Sequence, residues 1–434
     1  MGEDTVKVGL MGLGTVGSGV VRLIEDHQED LYHQTGRRIA IEKVLVRDRL
    51  KKRSVPFGKG LLTDRAEDLL ENREIDIVVE VMGGIEPARE YIREALLQGK
   101  HVVTANKDLM ALHGAELLSV AAEKGCDVFY EASVAGGIPI LRALVEGFSS
   151  DRITKMIGIV NGTTNYILTE MKRRGAPFGE VLHQAQTLGY AEADPASDVD
   201  GLDAARKMAI LGTLGFRIPL SLEEVKVRGI ADVTPEDVQF AEQMGYILKL
   251  VGIAQQDHGK VEVSVQPALL SGDHPLASVE GVYNAVSVYG EAVGETMFYG
   301  PGAGEMPTAT AVVSDLVTVI KQMRLGVNGR GTVAPYREKQ LKSPREVFAK
   351  YFLRLHVADE SGVMARLTQM FAEEEVSLEK VLQLPRSREK EAEIILITHT
   401  ASLHQLSRVR EQLEESDVVI RIQSDYRVEG GLSS

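Results

Sequence analysis

The chain has 434 residues, a formal net charge of −14, 44% hydrophobic residues and one cysteine. At ~100–200 residues per domain that length suggests two to four domains with ordinary cores. The acidic balance argues against a nucleic-acid or anionic-membrane binder, and the lone Cys126 excludes an intrachain disulfide or a cysteine-based zinc site. No apolar run approaches the ~20 residues of a membrane span, and Met1-Gly-Glu-Asp opens no signal-peptide pattern, so a cytoplasmic protein is expected.

In chain order, the apolar run Val6–Met11 ends in Gly12-Leu13-Gly14-Thr15-Val16-Gly17, and a helical pattern follows. This is G-x-G-x-x-G directly after a strand and opening a helix, the context in which it binds a dinucleotide. Gly12 permits the tight turn, Gly14 lets a pyrophosphate approach, and Gly17 allows close helix–strand packing. The helix N-terminus offers free N–H groups to phosphate. The next strand, residues 39–46, runs into Arg47-Asp48-Arg49 and a basic cluster through Arg53. Arg47 suits a 2′-phosphate and so NADP, while Asp48 keeps NAD open as a ribose ligand. Strands over 75–82, 101–106 and 126–132 alternate with helices, and Lys107 follows the second of them. Ligands of open α/β sheets bind outside the carboxyl ends of strands, so Lys107 points at the cofactor crevice. Cys126 reads as a core residue of its strand. Glu131, read from the residues alone, lies in an exposed turn.

A helix over Pro139–Gly147 and a strand over 153–160 lead to Asn161-Gly-Thr163-Thr-Asn-Tyr166, which carries more polar groups than an N-cap requires. Residues 185–207 then crowd Glu192, Asp194, Asp198, Asp200 and Asp203 ahead of Lys207. Asp203 and Lys207 are one helical turn apart. A calcium loop with Asp198, Asp200 and Gly201 at positions three, five and six would need Ala196 and Lys207 as ligands, and neither side chain can serve. The stretch instead suits a small cationic molecule held by carboxylates beside a lysine. Alternation in Val261–Val265 suggests an antiparallel sheet with one covered face, and His274 reads as a loop residue. Gly300-Pro-Gly-Ala-Gly304 opens an apolar helix over residues 305–325. Residues 326–349 read as a linker, and residues 350–428 carry a β-α-β-β-α-β pattern, a ferredoxin-like unit.

Gly12–Gly17, Val103–Lys107, Glu131–Pro139, Asn161–Tyr166 and above all Ala185–Lys207 resemble the motifs of homoserine dehydrogenases over nearly the full chain. The resemblance implies an α/β fold: a Rossmann-type cofactor domain over residues 1–140, completed by the helix 305–325, and an α+β catalytic and dimerisation domain over 141–304. The turn Asp359-Glu-Ser-Gly362-Val363 resembles the ligand loop of ACT domains, which implies an amino-acid effector, threonine by family analogy. The implied activity is reversible NAD(P)H-dependent reduction of L-aspartate 4-semialdehyde to L-homoserine in threonine and methionine biosynthesis, by a homodimer or homotetramer.

In this reading Lys207 is the acid/base, Lys107 shares the proton work beside the nicotinamide, and Asp203 joins Glu192, Asp198, Asn161 and Thr163 around the substrate. The cofactor set is Gly12–Gly17, Arg47, Thr104, Lys107, Ser133, Gly189 and Gly304. A monovalent cation, sodium, lies at Glu131, Val134, Gly136 and Ile138, held mostly by backbone carbonyls. A rival reading is an amino-acid sensor that keeps the fold without catalysis; the presence of Lys107, Asp203 and Lys207 disfavours it. A cysteine-nucleophile semialdehyde dehydrogenase is not supported either, because Cys126 lacks a partnered histidine.

Overall fold

The computed structural model describes residues 5–53, 55, 60–329, 335–385 and 390–430. The chain forms two compact units, Met1–Met156, Arg206–Val225 and Asn284–Lys339 in one, and Ile157–Ala205, Lys226–Tyr283 and Gln340–Ser434 in the other.

The first unit holds β1 (Thr5–Met11), α1 (Thr15–Asp26), α2 (Gln28–Thr35), β2 (Arg38–Leu45), β3 (Leu62–Thr63), α3 (Glu67–Leu70), β4 (Ile77–Glu80), α4 (Ala88–Leu97), β5 (His101–Thr104), α5 (Lys107–Lys124) and β6 (Val128–Phe129). The six strands make a parallel sheet in the order β3-β2-β1-β4-β5-β6, the doubly wound order of dinucleotide-binding folds. Every residue of β4 is buried, as befits a parallel strand covered on both faces. Helix Glu305–Leu325 completes this core. Its Ala309, Val312, Leu316 and Ile320 cluster with Val20, Val21 and Ile24 of α1 and with Val6, Val8 and Leu10 of β1. The crossing is close because α1 carries Gly19, where an added Cβ would lie 2.9 Å from the Ala309 Cβ.

Strand expectations over 126–132 were too long. β6 stops at Phe129, and Glu131–Ser133 winds into a 3₁₀ turn. The expected helix over 139–147 is one α-turn, Ile140–Arg142, followed by a wider π-helical turn, Ala143–Gly147. Cys126 is buried, as a core residue should be.

In the second unit, strands Tyr246–Asp257 and Lys260–Ser271 pair antiparallel along their whole length. His258 and Gly259 join them with φ of 48° and 79°, the left-handed pair a two-residue hairpin turn requires. The alternation seen in the sequence breaks at Ser264, which is buried; strand Lys226–Val227 pairs with Ser264 and Val265. His274 caps the short helix Pro275–Ser278, its Nδ1 accepting the Leu276 N–H at 3.1 Å.

The tail has the expected β-α-β-β-α-β order: Phe348–Ala358, Val363–Glu373, Leu378–Pro385, Glu391–Thr398, Leu403–Glu415 and Val419–Glu429. These four strands are antiparallel, with Phe348–Ala358 between Val419–Glu429 and Glu391–Thr398, and the short strand Ala401–Ser402 also pairs with Phe348 and Ala349. The tail is no bead on a linker, however. Its last strand pairs parallel with Lys260–Ser271 through Ala268↔Arg427, Leu269↔Val428 and Leu270↔Glu429. Gln340 and Lys342, expected in a linker, exchange backbone bonds of 2.8 Å with Val261. A buried polar network reinforces this join. Asp237 on helix Pro235–Gln243 accepts from Arg354 Nη1 at 2.9 Å, Ser424 Oγ at 2.6 Å and Tyr426 Oη at 2.9 Å, and Arg354 also bonds Glu393.

Breaking a buried charged pair from one side leaves the other charge uncompensated. Asp237→Ala is therefore expected to cost roughly 3–5 kcal/mol of stability, read from urea unfolding; a loss within error of zero would refute that account of the network. Lys249 gives a second test. It is buried, donates to Asn165 Oδ1 at 3.0 Å and to the Val279 carbonyl at 2.6 Å, and burial pulls its pKa down from 10.5 to about 8. Between those two values the unfolded chain binds more protons than the folded one, so stability gains with rising pH in that window. The cost of burying the charge is present in full below pH 8 and is relieved toward 10.5. The unfolding free energy of the wild type relative to Lys249→Met should rise across this window; parallel pH profiles would contradict the assignment.

Candidate active site

The first unit builds a cofactor cradle at the carboxyl ends of β1, β2 and β4. Gly12 has φ of 101°, and a Cβ there would sit 2.8 Å from the Val81 carbonyl oxygen. A Cβ on Gly17 would sit 2.3 Å from the Gly12 carbonyl oxygen, so only glycine lets α1 start this close to the turn. Gly14, in contrast, has open space where a Cβ would be. It is the N-cap of α1 with no side-chain cap, and no acidic residue occupies the first turn. Backbone N–H groups and the positive dipole end are thus left to an anion. Beside this turn lies a cavity of about 510 Å³ lined by Gly12, Leu13, Gly14, Arg47, Met82 and Gly83, among others. Arg47 and Asp48 are both exposed at its wall. Asp48 is partly engaged, its carboxylate accepting the Leu50 N–H at 2.7 Å, while Arg53 folds back onto the Lys51 carbonyl at 2.8 Å.

Lys107 is the first residue of α5, half-buried, behind the N-cap Asn106 whose Oδ1 accepts the Leu109 N–H at 3.1 Å. Its neighbour Asp108 lies 2.9 Å from Arg206 Nε, and Arg206 immediately precedes Lys207 on helix Leu202–Phe216. Thr104 is fully buried and its hydroxyl donates to Glu80 at 2.6 Å, so the side chain serves the interior, not an open cofactor face. Ser133 is buried too, donating to the Tyr130 carbonyl at 2.6 Å. Gly304, at φ 122°, starts helix Glu305–Leu325.

The expectation of an exposed Glu131 is corrected. Glu131 is 6% exposed, and its two oxygens accept the Leu141 and Arg142 N–H groups at 2.8 and 2.7 Å. Burial raises its pKa, opposed by these bonds. Its own N–H reaches Asp315, which also accepts from Arg142 at 2.9 Å; burial beside Glu131 pushes Asp315 up to about 7. The turn beyond, Val134 to Ile138, contains Ala135 at φ 55° and Gly136 at φ 44° and packs against Gly302, whose carbonyl would be 2.5 Å from a Gly136 Cβ. Among the described residues no group of three or more His, Cys, Asp or Glu side chains is placed to hold a metal.

The second unit holds the acid-rich stretch. Asn161 caps helix Gly162–Arg174 through its Oδ1, which accepts from Thr164 N at 2.9 Å. Its Nδ2 donates to Asp198 Oδ1 at 2.7 Å and to Asp203 Oδ2 at 2.9 Å. Two carboxylates remote in sequence from Asn161 are thereby drawn onto one amide. Asp203 is buried and Lys207 lies four residues along the same helix. Asp198 sits in the helical turn Ala196–Val199, which Gly229 buttresses so closely that a Cβ there would meet the Val199 carbonyl oxygen at 2.2 Å. Thr163 donates to the Tyr190 carbonyl at 2.7 Å, so it fastens the loop ahead of Glu192. Glu192 is exposed, and Gly189, also exposed at φ 77°, ends the turn after helix Phe178–Thr187.

In the tail, Gly362 at φ 95° starts helix Val363–Glu373; Val363 is buried, while Asp359 is exposed and its N–H donates to the Lys390 carbonyl at 2.8 Å. Sequence reasoning missed Glu80, Lys249 and Asp108. A lone acid in the apolar run Ile77-Val-Val-Glu80-Val-Met82 was the one available signal.

Residues 139–317 match the homoserine dehydrogenase family, residues 12–131 the NAD-binding domain of homoserine dehydrogenase and residues 351–417 the ACT domain. The chain is 58% identical to the homoserine dehydrogenase of Bacillus subtilis (strain 168), over 98% of each chain, and 41% identical to that of Lactococcus lactis, over 98% of this chain and 100% of that one. Among solved structures, a homoserine dehydrogenase from Thiobacillus denitrificans superimposes with a TM-score of 0.92 at 41% identity, covering 98% of both chains. A Staphylococcus aureus homoserine dehydrogenase at pH 7.5 gives 0.79 at 37% identity, covering 98% of this chain and 99% of the other. The chain belongs to the homoserine dehydrogenase family: it is an NAD(P)-dependent oxidoreductase with a C-terminal ACT domain.

Proposed function

We propose that the chain reduces L-aspartate 4-semialdehyde to L-homoserine with NADPH preferred over NADH, that Asp198 and Asp203 hold the substrate ammonium, and that Lys207 gives the proton. The observation that carries this reading is the convergence of Asp198 and Asp203 on the Asn161 amide, with Lys207 one turn further along the helix of Asp203. Each ionised carboxylate offers two acceptor oxygens, and an ammonium group bonds such a pair with charge-assisted bonds. Glu192 lies on the loop fastened by Thr163 and adds a third acid. The nicotinamide cofactor, when bound, supplies hydride to the aldehyde carbon. Charge then gathers on the aldehyde oxygen, and the Lys207 ammonium stabilises it and protonates it. Lys107, at the start of α5, shares that work.

The preference for NADPH rests on Arg47, an exposed cation at the wall of the cavity beside the glycine turn, with Lys51 and Arg53 on the same wall. Asp48, the residue that would favour NAD, spends part of its acceptor capacity on Leu50. The same reading puts a sodium ion at backbone carbonyls of the segment with Val134, Gly136 and Ile138, and the left-handed backbone at Ala135 and Gly136 supports it. In this reading Glu131 serves by fixing the turn, because its carboxylate oxygens accept N–H groups. The ACT domain binds an amino acid, threonine, near Asp359, Gly362 and Val363. The active form is a homo-oligomer, supported by the exposed Val293, Met297 and Tyr299 on and beside strand Gly294–Pro301.

Following NADPH and NADH oxidation with aspartate 4-semialdehyde tests the cofactor assignment. Arg47→Ala is expected to raise KM for NADPH about tenfold, the size of one lost charged contact, and to leave KM for NADH nearly unchanged. An equal rise for both cofactors would place Arg47 away from the 2′-phosphate. Lys207→Met should lower kcat by about 10²–10⁴ while NADPH fluorescence titration stays as in the wild type. Undiminished turnover would remove Lys207 from the chemistry.

A further inference from the structure

Glu80 is buried without exposed surface at the carboxyl end of β4 and takes no part in the proposed proton chemistry. Its register partners are Met11 on β1 and Thr104 on β5. One carboxylate oxygen accepts the Met82 N–H at 2.7 Å and the Gly83 N–H at 3.2 Å; the other accepts the Thr104 hydroxyl at 2.6 Å. Met82 and Gly83 line the cofactor cavity. The Thr104 oxygen in turn accepts the Asn106 N–H at 3.0 Å. Asn106 caps α5, whose first residue is Lys107, and its Nδ2 donates to the Gly84 carbonyl at 2.6 Å. The bonds form a closed circuit between the segment Met82–Gly84 and the start of α5. Gly83 and Gly84, both left-handed at φ 73° and 78°, give the segment the curl that turns its N–H groups onto one carboxylate.

We infer that Glu80 is a positioning residue: its carboxylate, relayed by Thr104 and Asn106, sets Lys107 at a fixed place relative to the cofactor wall Met82–Gly84. A carboxylate suits this because it is acceptor-only and takes all three donors at once. The inference rests on the reading of Lys107 as a residue that works at the cofactor.

Steady-state kinetics of four variants test it, with NADPH and aspartate 4-semialdehyde as substrates. Thr104→Val keeps shape and cuts the branch to Lys107 alone, so kcat should fall about tenfold, the size of one lost bond to a charged group, with KM for NADPH within about twofold of wild type. Glu80→Ala cuts both branches, so kcat falls and KM for NADPH rises together. Glu80→Gln guards against misfolding: its amide oxygen still accepts from Met82 and Gly83, so KM for NADPH returns toward wild type. Lys107→Met is the control. If kcat is lost in Lys107→Met and kept in Thr104→Val, the positioning role is wrong while the Lys107 reading stands. If both keep wild-type kcat, the Lys107 reading itself fails and takes the inference with it. A KM for NADPH that is unmoved in Glu80→Ala also overturns it.

Discussion

A single side-chain amide sets the geometry of the acid-rich half of the molecule. Asp203 is buried, so its carboxylate must be hydrogen-bonded to be held where it is, and Asp198 shares its amide partner. Asn161 supplies both from one nitrogen, and its oxygen is already fixed by capping helix Gly162–Arg174. The helix start, the carboxylates and the loop ahead of Glu192 are consequently one piece. Thr163 ties that loop to the second residue of the same helix, and Gly162 lets the chain at Val282 come within 2.7 Å of where its Cβ would be. Below, Lys249 and the Asn165 amide pin the Val279–Tyr283 segment to this helix.

The cofactor half depends on a different constraint, the steric demand of two glycines. Gly12 and Gly17 have no room for a Cβ, and the clash would be with backbone, which cannot yield as a flexible side chain does. Gly14 has room, and that space is what a pyrophosphate needs. Helix Glu305–Leu325 then returns from far along the chain to cover α1, with Gly19 against Ala309 as the point of closest approach. The cofactor fold is therefore complete only when residues from both ends of the catalytic region are present.

What the sequence made legible follows from this. The glycine turn could be read because its constraint is local: the strand, the turn and the helix are adjacent in the chain. Asp203 and Lys207 could be paired because helical spacing fixes them one turn apart. The order of elements in the tail was readable from periodicity alone. Glu131 was misjudged because its partners, Leu141, Arg142 and Asp315, are ten or more residues away and no local pattern announces them. Thr104 and Thr163 entered with the family resemblance, and their hydroxyls donate to Glu80 and to the Tyr190 carbonyl. Family motifs mark residues that matter to a site, and they do not separate those that touch a ligand from those that hold the first group in place.

The same distinction governs the tail. Residues 326–349 read as a linker, and within that stretch Gln340 and Lys342 are bonded to Val261, while the final strand extends the pairing of Lys260–Ser271. Arg427, buried between Glu262 and Glu429, lies at that junction, and Arg354 with Asp237 lies beside it. Buried pairs of this kind add little net stability over apolar packing, yet they tolerate only one arrangement of donors and acceptors. Helix Pro235–Gln243, which carries Asp237, packs against helix Gly162–Arg174, which Asn161 caps. A ligand can shift an equilibrium only through its differential affinity for two arrangements. In this unit any second arrangement of the tail strands would break the bonds that Arg354, Ser424 and Tyr426 make to Asp237, on the helix that packs on the Asn161-capped one. The polar network of the join and the Asn161 cap thus lie on two helices in contact.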